Sequence, residues 1–290
     1  MRFVTDLELG KKIILDRYPE FNNHNFTANN YGWDNFVIKI DDEFIFRFPK
    51  REISFRTIEM EADVLKELNK KIPDNIKVPE YIYKNLETDY PFVGYKMIKG
   101  NFLSEELYDS MTSEEKDAFI KDMMTFINTL HSLDINNFNL DEVNGLSNYK
   151  ERYSEFRDKC FNSFDDDLQE KTNNLFNSYF NDEKMQLFRK TIIHGDLSTN
   201  HIIITDNGIG IIDFGDARIF DYAYDFEWLY MLDKNILDEA LKQYNYDIDD
   251  YLYKRIMFYI SIIPYYGIVY AKETNNKDML EKEKNKLAKL

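Results

Sequence analysis

Two aspartates lie in short polar loops, and each loop directly follows an apolar run that is typical of a β-strand. Asp196 lies in HGDLSTNH, and Asp213 follows seventeen residues later in IIDFGD. The DNG turn between them predicts a β-hairpin over residues 202–205 and 210–213, which would bring the two carboxylates close together. One carboxylate could accept a proton from a hydroxyl while the other holds a divalent metal ion. This is the minimal equipment for phosphoryl transfer.

The net negative charge of the chain is concentrated on the C-terminal side of residue 99. The formal net charge is −16, of which −1 falls on residues 1–99 and −15 on residues 100–290. Between Asp213 and Glu239, eight acidic residues stand against two basic ones. A protein that binds nucleic acid needs the opposite sign, so we expect no nucleic acid among its partners. The charge favours a cationic small-molecule partner, and the alternative is that it only aids solubility.

Alternating and helical patterns divide the chain into two parts. Phe36, Ile38 and Ile40 alternate with other residues, as do the phenylalanines of FIFRF that follow, which predicts an antiparallel hairpin with one buried face. A helix with apolar residues at helical spacing and two further strands complete residues 1–99. Behind residue 100 the pattern is mainly helical, beginning with Thr112 and Glu115 at the spacing of a capping box. We therefore predict an α+β fold with a small antiparallel-sheet lobe over residues 1–99, a hinge near 95–100, and a larger, mainly helical lobe over 100–290.

Cysteine content and hydropathy indicate the cellular compartment in which the protein is expected. The single cysteine, Cys160, allows no internal disulfide, which fits a reducing compartment. The first twenty residues carry charges throughout and show no apolar signal core. The longest uncharged aromatic run, residues 256–271, is shorter than the roughly 20 residues that span a membrane, and it contains Pro264. We expect a cytoplasmic monomer with no membrane contact.

The loop motifs carry a family resemblance. HGDLSTNH followed by IIDFGDA, with Gly195 between His194 and Asp196, resembles the aminoglycoside phosphotransferase family, which has a protein-kinase-like fold. The chain is most similar to the aminoglycoside 2''-phosphotransferases, and EFIFRFPK and PFVGYKMIKG support this resemblance. It extends over nearly the whole chain from Tyr31 onward.

The resemblance implies roles for the loop residues. Asp196 would be the catalytic base that orients and deprotonates the substrate hydroxyl, and Asp213 would hold Mg²⁺ between the phosphates. The second metal ligand stands five positions after the base, where this chain has His201, although Asn200 is a neighbouring alternative. Imidazole is a softer ligand than Mg²⁺ prefers, so His201 could instead only pack and bond locally.

The nucleotide would lie against the sheet lobe. Arg47 stands where the family has a phosphate-binding lysine, and Glu61 would be its partner on the following helix, with Glu59 as the competitor. Gly32 would belong to the loop over the phosphates, and Ile45 would line the nucleotide site.

The nucleobase would bond to the hinge backbone at Lys96 and Ile98. A bulky Tyr95 just before the hinge is similar to members that prefer GTP, so the resemblance implies GTP as the donor, with ATP possible. The alternative is that Tyr95 is a tyrosine of the core.

The acceptor would be a polyamine. Asp216, Asp233, Asp238 and Glu239 are the candidates for contacts with its ammonium groups, and the alternative is that they form a solvated helix face. The resemblance thus implies a kinase that phosphorylates an aminoglycoside, at the 2''-hydroxyl, and confers resistance. Two alternatives stay open: a kinase of a macrolide, choline or a sugar, and a nucleotide-binding pseudokinase, which Arg47 and the glycine-poor loop favour but the two aspartates oppose.

Overall fold

The computed structural model describes residues 1–29 and 34–289. These form two compact units, one comprising Met1–Leu140 with His194–Ala217 and the other Asp141–Ile193 with Arg218–Leu290. A small antiparallel-sheet lobe and a larger, mainly helical lobe are present, as predicted. The predicted boundary between the lobes near residues 95–100 stays a prediction.

The first unit contains the sheets that carry the polar loops. Its helices are α1 (Leu7–Arg17), α2 (Glu52–Leu68), α3 (Glu105–Ser110) and α4 (Ser113–His131). Its first seven strands are β1 (Phe26–Asn29), β2 (Asn35–Ile40), β3 (Phe44–Pro49), β4 (Ile76–Lys77), β5 (Tyr83–Asn85), β6 (Phe92–Lys96) and β7 (Asn101–Phe102). A five-stranded sheet has the order β1-β2-β3-β6-β5, with every neighbouring pair antiparallel.

The two faces of this sheet differ in polarity because side chains alternate along each strand. Phe36 pairs with Phe48, and Ile38 pairs with Phe46, so the predicted hairpin is confirmed in register. These side chains are buried in a cluster with α1, whose Ile14 is also fully buried. Residues at the odd positions of β3, among them Arg47, therefore lie on the opposite face.

The second unit is mainly helical. Its helices are α5 (Gly145–Cys160), α6 (Asp166–Phe180), α7 (Glu227–Leu232), α8 (Lys234–Leu241), α9 (Leu252–Glu273) and α10 (Lys277–Lys289). Two short strands, β8 (Lys190–Ile193) and β11 (Arg218–Asp221), pair antiparallel. The aromatic run of residues 256–271 lies in α9, and within the described part of the chain no helix is long and apolar enough to cross a membrane.

The hairpin between the two aspartates begins where predicted, but its second strand lies two residues earlier than predicted. It consists of β9 (Ile202–Thr205) and β10 (Gly208–Ile211), so the second strand ends two residues before Asp213 and does not include it. Asn207 completes a tight turn, and Gly208 has a φ of 155° that a side chain rarely adopts. A β-carbon on Gly208 would also lie 2.2 Å from the carbonyl oxygen of Asn75. The glycine therefore ends the turn and allows β10 to pair with β4 in a second sheet of order β4-β10-β9-β7.

Candidate active site

A buried ion pair joins the five-stranded sheet to helix α2. Nη1 of Arg47 on β3 lies 2.8 Å from Oε1 of Glu61, and the side chains are 9% and 1% exposed. Glu61 faces the sheet because it lies three residues after the buried Ile58, whereas Glu59 is exposed. Of the two glutamates considered from the sequence, Glu61 is thus the one that contacts Arg47.

The hydroxyl of Tyr81 joins this ion pair as a third group, which was not predicted from the sequence. Its hydroxyl accepts a hydrogen bond from Nη1 of Arg47 at 2.9 Å and donates to Oε1 of Glu61 at 2.5 Å. Residues 78–84, VPEYIYK, were one of the two further strands predicted for residues 1–99. The structure forms a strand there only from Tyr83, and nothing in the pattern indicates that Tyr81 meets a charge pair. Burial raises the pKa of Tyr81 well above its usual value, so the hydroxyl remains a donor.

The charges of this cluster stabilise one another. Burial alone would lower the pKa of Arg47, but the nearby charges of Glu61 and Asp213 outweigh it and hold the pKa well above its ordinary value. Burial raises the pKa of Glu61, while Arg47 and the Tyr81 hydroxyl oppose that shift. Arg47 is therefore cationic at every pH at which the protein would be studied.

Two histidines fix the backbone around Asp196. His194 is fully buried; its Nδ1 accepts from the N–H of Asp196 at 3.3 Å, and its Nε2 lies 3.1 Å from the carbonyl oxygen of Ile212. His201 Nδ1 lies 2.6 Å from the carbonyl oxygen of Asp196. Since a carbonyl can only accept, Nδ1 of His201 carries a proton, so in the neutral form of the ring Nε2 would bear the lone pair. The carboxylate of Asp196 itself is 54% exposed.

Asp213 lies between the buried ion pair and the loop of Asp196. Its Oδ1 is 3.6 Å from Nη2 of Arg47, and its Oδ2 is 3.7 Å from Nε2 of His201. The backbone of Asp213 has φ 66° and ψ 67°, the left-handed conformation that aspartate adopts more readily than most residues. The structure thus brings together Arg47, Glu61, Asp196, His201 and Asp213, which are far apart in the sequence.

The residues at Asp213 fit a magnesium ion that is completed by other ligands. The lone pair of His201 Nε2 and a carboxylate oxygen of Asp213 are close enough to share one ion. Among the described residues, no group of three or more histidine, cysteine, aspartate or glutamate side chains forms a metal site. Mg²⁺ commonly binds through one or two protein side chains, waters and substrate phosphates, so two protein ligands are compatible with it.

The predicted hinge follows strand β6. Tyr95 pairs with Ile45 across the sheet, and both lie on the face that carries Arg47. The ring of Tyr95 is 7% exposed and lies 5.9 Å from that of Tyr81. Burial raises the pKa of Tyr95 to about 12. Tyr95 therefore borders the charged cluster, although the prediction that it selects the nucleobase remains untested.

Backbone hydrogen bonds distinguish the hinge residues. The N–H of Met97 donates to the carbonyl of Glu43 at 2.7 Å, whereas within the described residues the N–H of Ile98 donates to no protein group. Lys96 is exposed, and Lys96 and Ile98 also line a cavity of about 1080 Å³ with residues of 69–82 and 205–207. The residues of the charged cluster do not line that cavity. Gly32 lies outside the described residues.

The candidate amine-binding residues fall in both units. Asp216 is exposed three residues after Asp213 in the first unit, whereas Asp233, Asp238 and Glu239 belong to the second. Asp233 caps α8 by accepting from the N–H of Asn235, Asp238 accepts from the hydroxyl of Tyr253, and Glu239 pairs with Lys242 at 2.6 Å. These contacts use at least one oxygen of each, so a bound amine would have to share or replace them.

Comparison with known proteins places these features in a family. The family model described as the phosphotransferase enzyme family matches residues 25–259. The structure of the GDP and kanamycin complex of APH(2")-IIia is similar over 97% of each chain, with a TM-score of 0.86 and 21% identity. The gentamicin–APH(2")-IIa complex is similar over 100% of this chain and 98% of that one, with a TM-score of 0.77 and 21% identity.

A macrolide phosphotransferase shares the same fold. The structure of macrolide 2'-phosphotransferase type I matches over 99% of each chain, with a TM-score of 0.69 and 19% identity. At such identities the likeness establishes the fold rather than the substrate. The predicted protein-kinase-like fold of the aminoglycoside phosphotransferases is thereby confirmed.

Proposed function

The chain belongs to the phosphotransferase enzyme family, and we propose that it is an antibiotic kinase that phosphorylates an aminoglycoside. The donor would be a nucleoside triphosphate, GTP in preference to ATP, and the acceptor would be the 2''-hydroxyl, so that the reaction confers resistance. The observation that carries this proposal is the meeting of Arg47 and His201 at Asp213, beside the loop of Asp196. A permanent cation beside a carboxylate that can hold a metal ion, with a second carboxylate next to them, is the arrangement that phosphoryl transfer requires.

Arg47 and Asp213 would bind the phosphates. Nη2 of Arg47 is directed toward Asp213, so a phosphate oxygen beside that carboxylate would lie within reach of the guanidinium. Asp213 and His201 would hold Mg²⁺, which when bound neutralises negative charge on the phosphates. Glu61 would keep Arg47 on the sheet face through their 2.8 Å contact.

Asp196 would act on the acceptor hydroxyl. Its main chain is hydrogen-bonded on both sides, through its N–H to His194 and through its carbonyl to His201, while its carboxylate is exposed. A fixed backbone with an exposed carboxylate suits a group that orients a hydroxyl and accepts its proton as the new bond to phosphorus forms. The two histidines would thus position the base, and neither would take the proton.

The nucleobase would bond at the hinge. The N–H of Ile98 has no protein acceptor among the described residues and would be available to a base acceptor atom. The buried ring of Tyr95 lies next to this hinge, on the face of the sheet that carries Arg47, and is the proposed basis of the preference for GTP. The excess of negative charge behind residue 99 supports a cationic acceptor, and Asp216 with Asp233, Asp238 and Glu239 are its proposed contacts.

The test is a coupled assay of nucleoside diphosphate release. GTP and ATP are each combined with kanamycin, gentamicin, a macrolide and choline, and Asp196→Asn serves as the inactive control. Faster release with GTP and an aminoglycoside, together with a 2''-phosphorylated product by NMR, supports the proposal. Release with a macrolide or choline alone would replace the acceptor while keeping the chemistry, and binding of nucleotide without turnover on any acceptor would favour the pseudokinase.

A further inference from the structure

The ion pair between Arg47 and Glu61 involves one terminal nitrogen of the guanidinium and one oxygen of the carboxylate. Nη1 of Arg47 contacts Oε1 of Glu61, but Oε2 of Glu61 is buried and no described group donates to it. Nη2 of Arg47 is instead directed toward Asp213. A guanidinium and a carboxylate ordinarily form two parallel hydrogen bonds, so a single-armed pair with an unused buried oxygen requires a cause.

The hydroxyl of Tyr81 supplies that cause. It lies between the two charged groups, accepting from Nη1 and donating to the same Oε1 that Nη1 contacts. The hydroxyl therefore ties Nη1 and Oε1 together, so both the guanidinium and the tyrosine are held on the same oxygen of Glu61 while Oε2 and Nη2 stay outside the pair. The ring of Tyr81 is 8% exposed and packs near Tyr95, so it has little freedom to leave this position.

We propose that Tyr81 is a positioning residue for nucleotide binding, which holds Arg47 in a single-armed pair with Glu61 and so reserves Nη2 for a phosphate beside Asp213. This inference rests on the proposed function, because it assigns Arg47 to the phosphates. The need for such a residue follows from the presence of an arginine at this position. A lysine has one nitrogen and cannot bind both oxygens of Glu61, whereas an arginine without the tyrosine could bind Glu61 through both Nη1 and Nη2 and withdraw from the phosphate.

The experiment measures the dissociation constant of Mg·GTP directly by titration calorimetry, with no acceptor present. Tyr81→Phe removes only the hydroxyl and should weaken binding by about 10-fold, in line with the loss of a hydrogen bond to charged groups. The KM for the acceptor should stay within about twofold, because that site does not involve Arg47. Tyr83→Phe is the matched control: it removes a hydroxyl two residues away whose ring packs among Tyr18, Phe21 and Phe46, and it should leave binding unchanged.

A double-mutant cycle separates positioning from a general loss of structure. In the Arg47→Lys background, Tyr81→Phe should change binding by less than about twofold, because a lysine cannot close on Glu61. An equal loss in both backgrounds, or wild-type binding by Tyr81→Phe, overturns the inference. If Tyr81→Phe does not fold, the test uses Tyr81→His, which keeps a donor and an acceptor. Binding of Mg·GTP by Tyr81→His that is tighter than binding by Arg47→Ala supports the inference. Binding that is no tighter overturns it.

The two proposals fail in different ways. A wild-type protein that binds Mg·GTP but phosphorylates no aminoglycoside contradicts the proposed acceptor and leaves the Tyr81 measurement intact. A wild-type protein that binds neither GTP nor ATP overturns both proposals.

Discussion

The ring of His201 is hydrogen-bonded through Nδ1 to the main-chain carbonyl of Asp196 at 2.6 Å, and the opposite nitrogen of the same ring lies 3.7 Å from Asp213. The same imidazole thus holds the backbone of the Asp196 loop through Nδ1 and directs Nε2 toward Asp213, the proposed metal ligand. In the proposed function, the ring would supply both a donor to the loop and an acceptor for the ion.

Asp196→Asn should abolish transfer while leaving nucleotide binding intact. The amide cannot accept a proton, so turnover should fall by about 10³-fold or more, while the dissociation constant of Mg·GTP should stay near that of the wild type. Asp206→Asn, an exposed aspartate in the turn between β9 and β10, is the control. Turnover by Asp196→Asn within about tenfold of the wild type would remove Asp196 from the role of base.

Asp213→Ala should lose the magnesium dependence of nucleotide binding. With Asp213 gone, raising the Mg²⁺ concentration should no longer tighten GTP binding, because the remaining imidazole is a poor ligand for this ion on its own. The check is a titration of GTP at several Mg²⁺ concentrations. A magnesium response that persists unchanged would place the ion elsewhere.

His201→Ala should weaken the apparent affinity for Mg²⁺, and His201→Asn should restore part of it, because an amide oxygen is a harder ligand that suits Mg²⁺. His24→Asn, at a partly exposed histidine paired with Asp41, is the control and should have no effect. Equal magnesium affinity in the wild type and His201→Ala would show that His201 only holds the loop.

Tyr95→Ala should increase the use of ATP relative to GTP. If Tyr95 selects the base, removing its ring takes away that selection. The ratio of kcat/KM values for the two donors measures the change within one protein. The ratio is insensitive to a general loss of activity. An unaltered ratio would return Tyr95 to the role of a core tyrosine.

Arg255→Met should strongly destabilise the second unit. Arg255 is fully buried, donates to Asp221 at 2.6 Å, and binds both oxygens of Asp249 at 2.8 Å and 2.7 Å. Removing it leaves the buried carboxylate of Asp221 without its countercharge, which costs about 3–5 kcal/mol of unfolding free energy. Lys254→Met, next to it on α9 and paired at the surface with Asp182, should cost far less in the same denaturant titration.

Acid should weaken this network through Asp249. Burial opposes its ionisation, but hydrogen bonds from Arg255 and Tyr222 outweigh it and lower the pKa of Asp249 to about 2. A carboxyl whose pKa is lower in the folded state adds stability that is present above the unfolded pKa of about 4 and is lost as the pH falls toward 2.

Burial raises the pKa of Asp221, so that residue contributes with the opposite sign. The readout is therefore the difference in unfolding free energy between the wild type and Asp249→Asn. That difference should be largest above pH 4 and shrink toward pH 2, and a difference independent of pH would contradict the assignment.

Local patterns in the sequence were sufficient for many of the elements and for several contacts, although the helix α1 was not predicted. The alternation from Phe36 to Phe48 fixed which face of the hairpin is buried, because side chains of a strand point to alternate sides. The spacing of Thr112 and Glu115 predicted the capping box at the start of α4, which the structure contains. Glu61 could be preferred over Glu59 because helical periodicity places it on the face of Ile58.

The sequence alone therefore determined the hairpin of β2 and β3, helices α2 and α4, the family, and the residue types available for chemistry, all of which depend on neighbours along the chain; it did not predict α1, and it placed the second strand of the later hairpin two residues too far along the chain. Only the tertiary structure decided which of those groups meet. Tyr81 contacts Arg47 from a separate segment, Asp213 adopts a left-handed conformation two residues after β10, and His201 directs one nitrogen to each aspartate. Such contacts join residues that are distant in sequence, and they depend on strand register and side-chain direction across whole sheets, which no local spacing encodes.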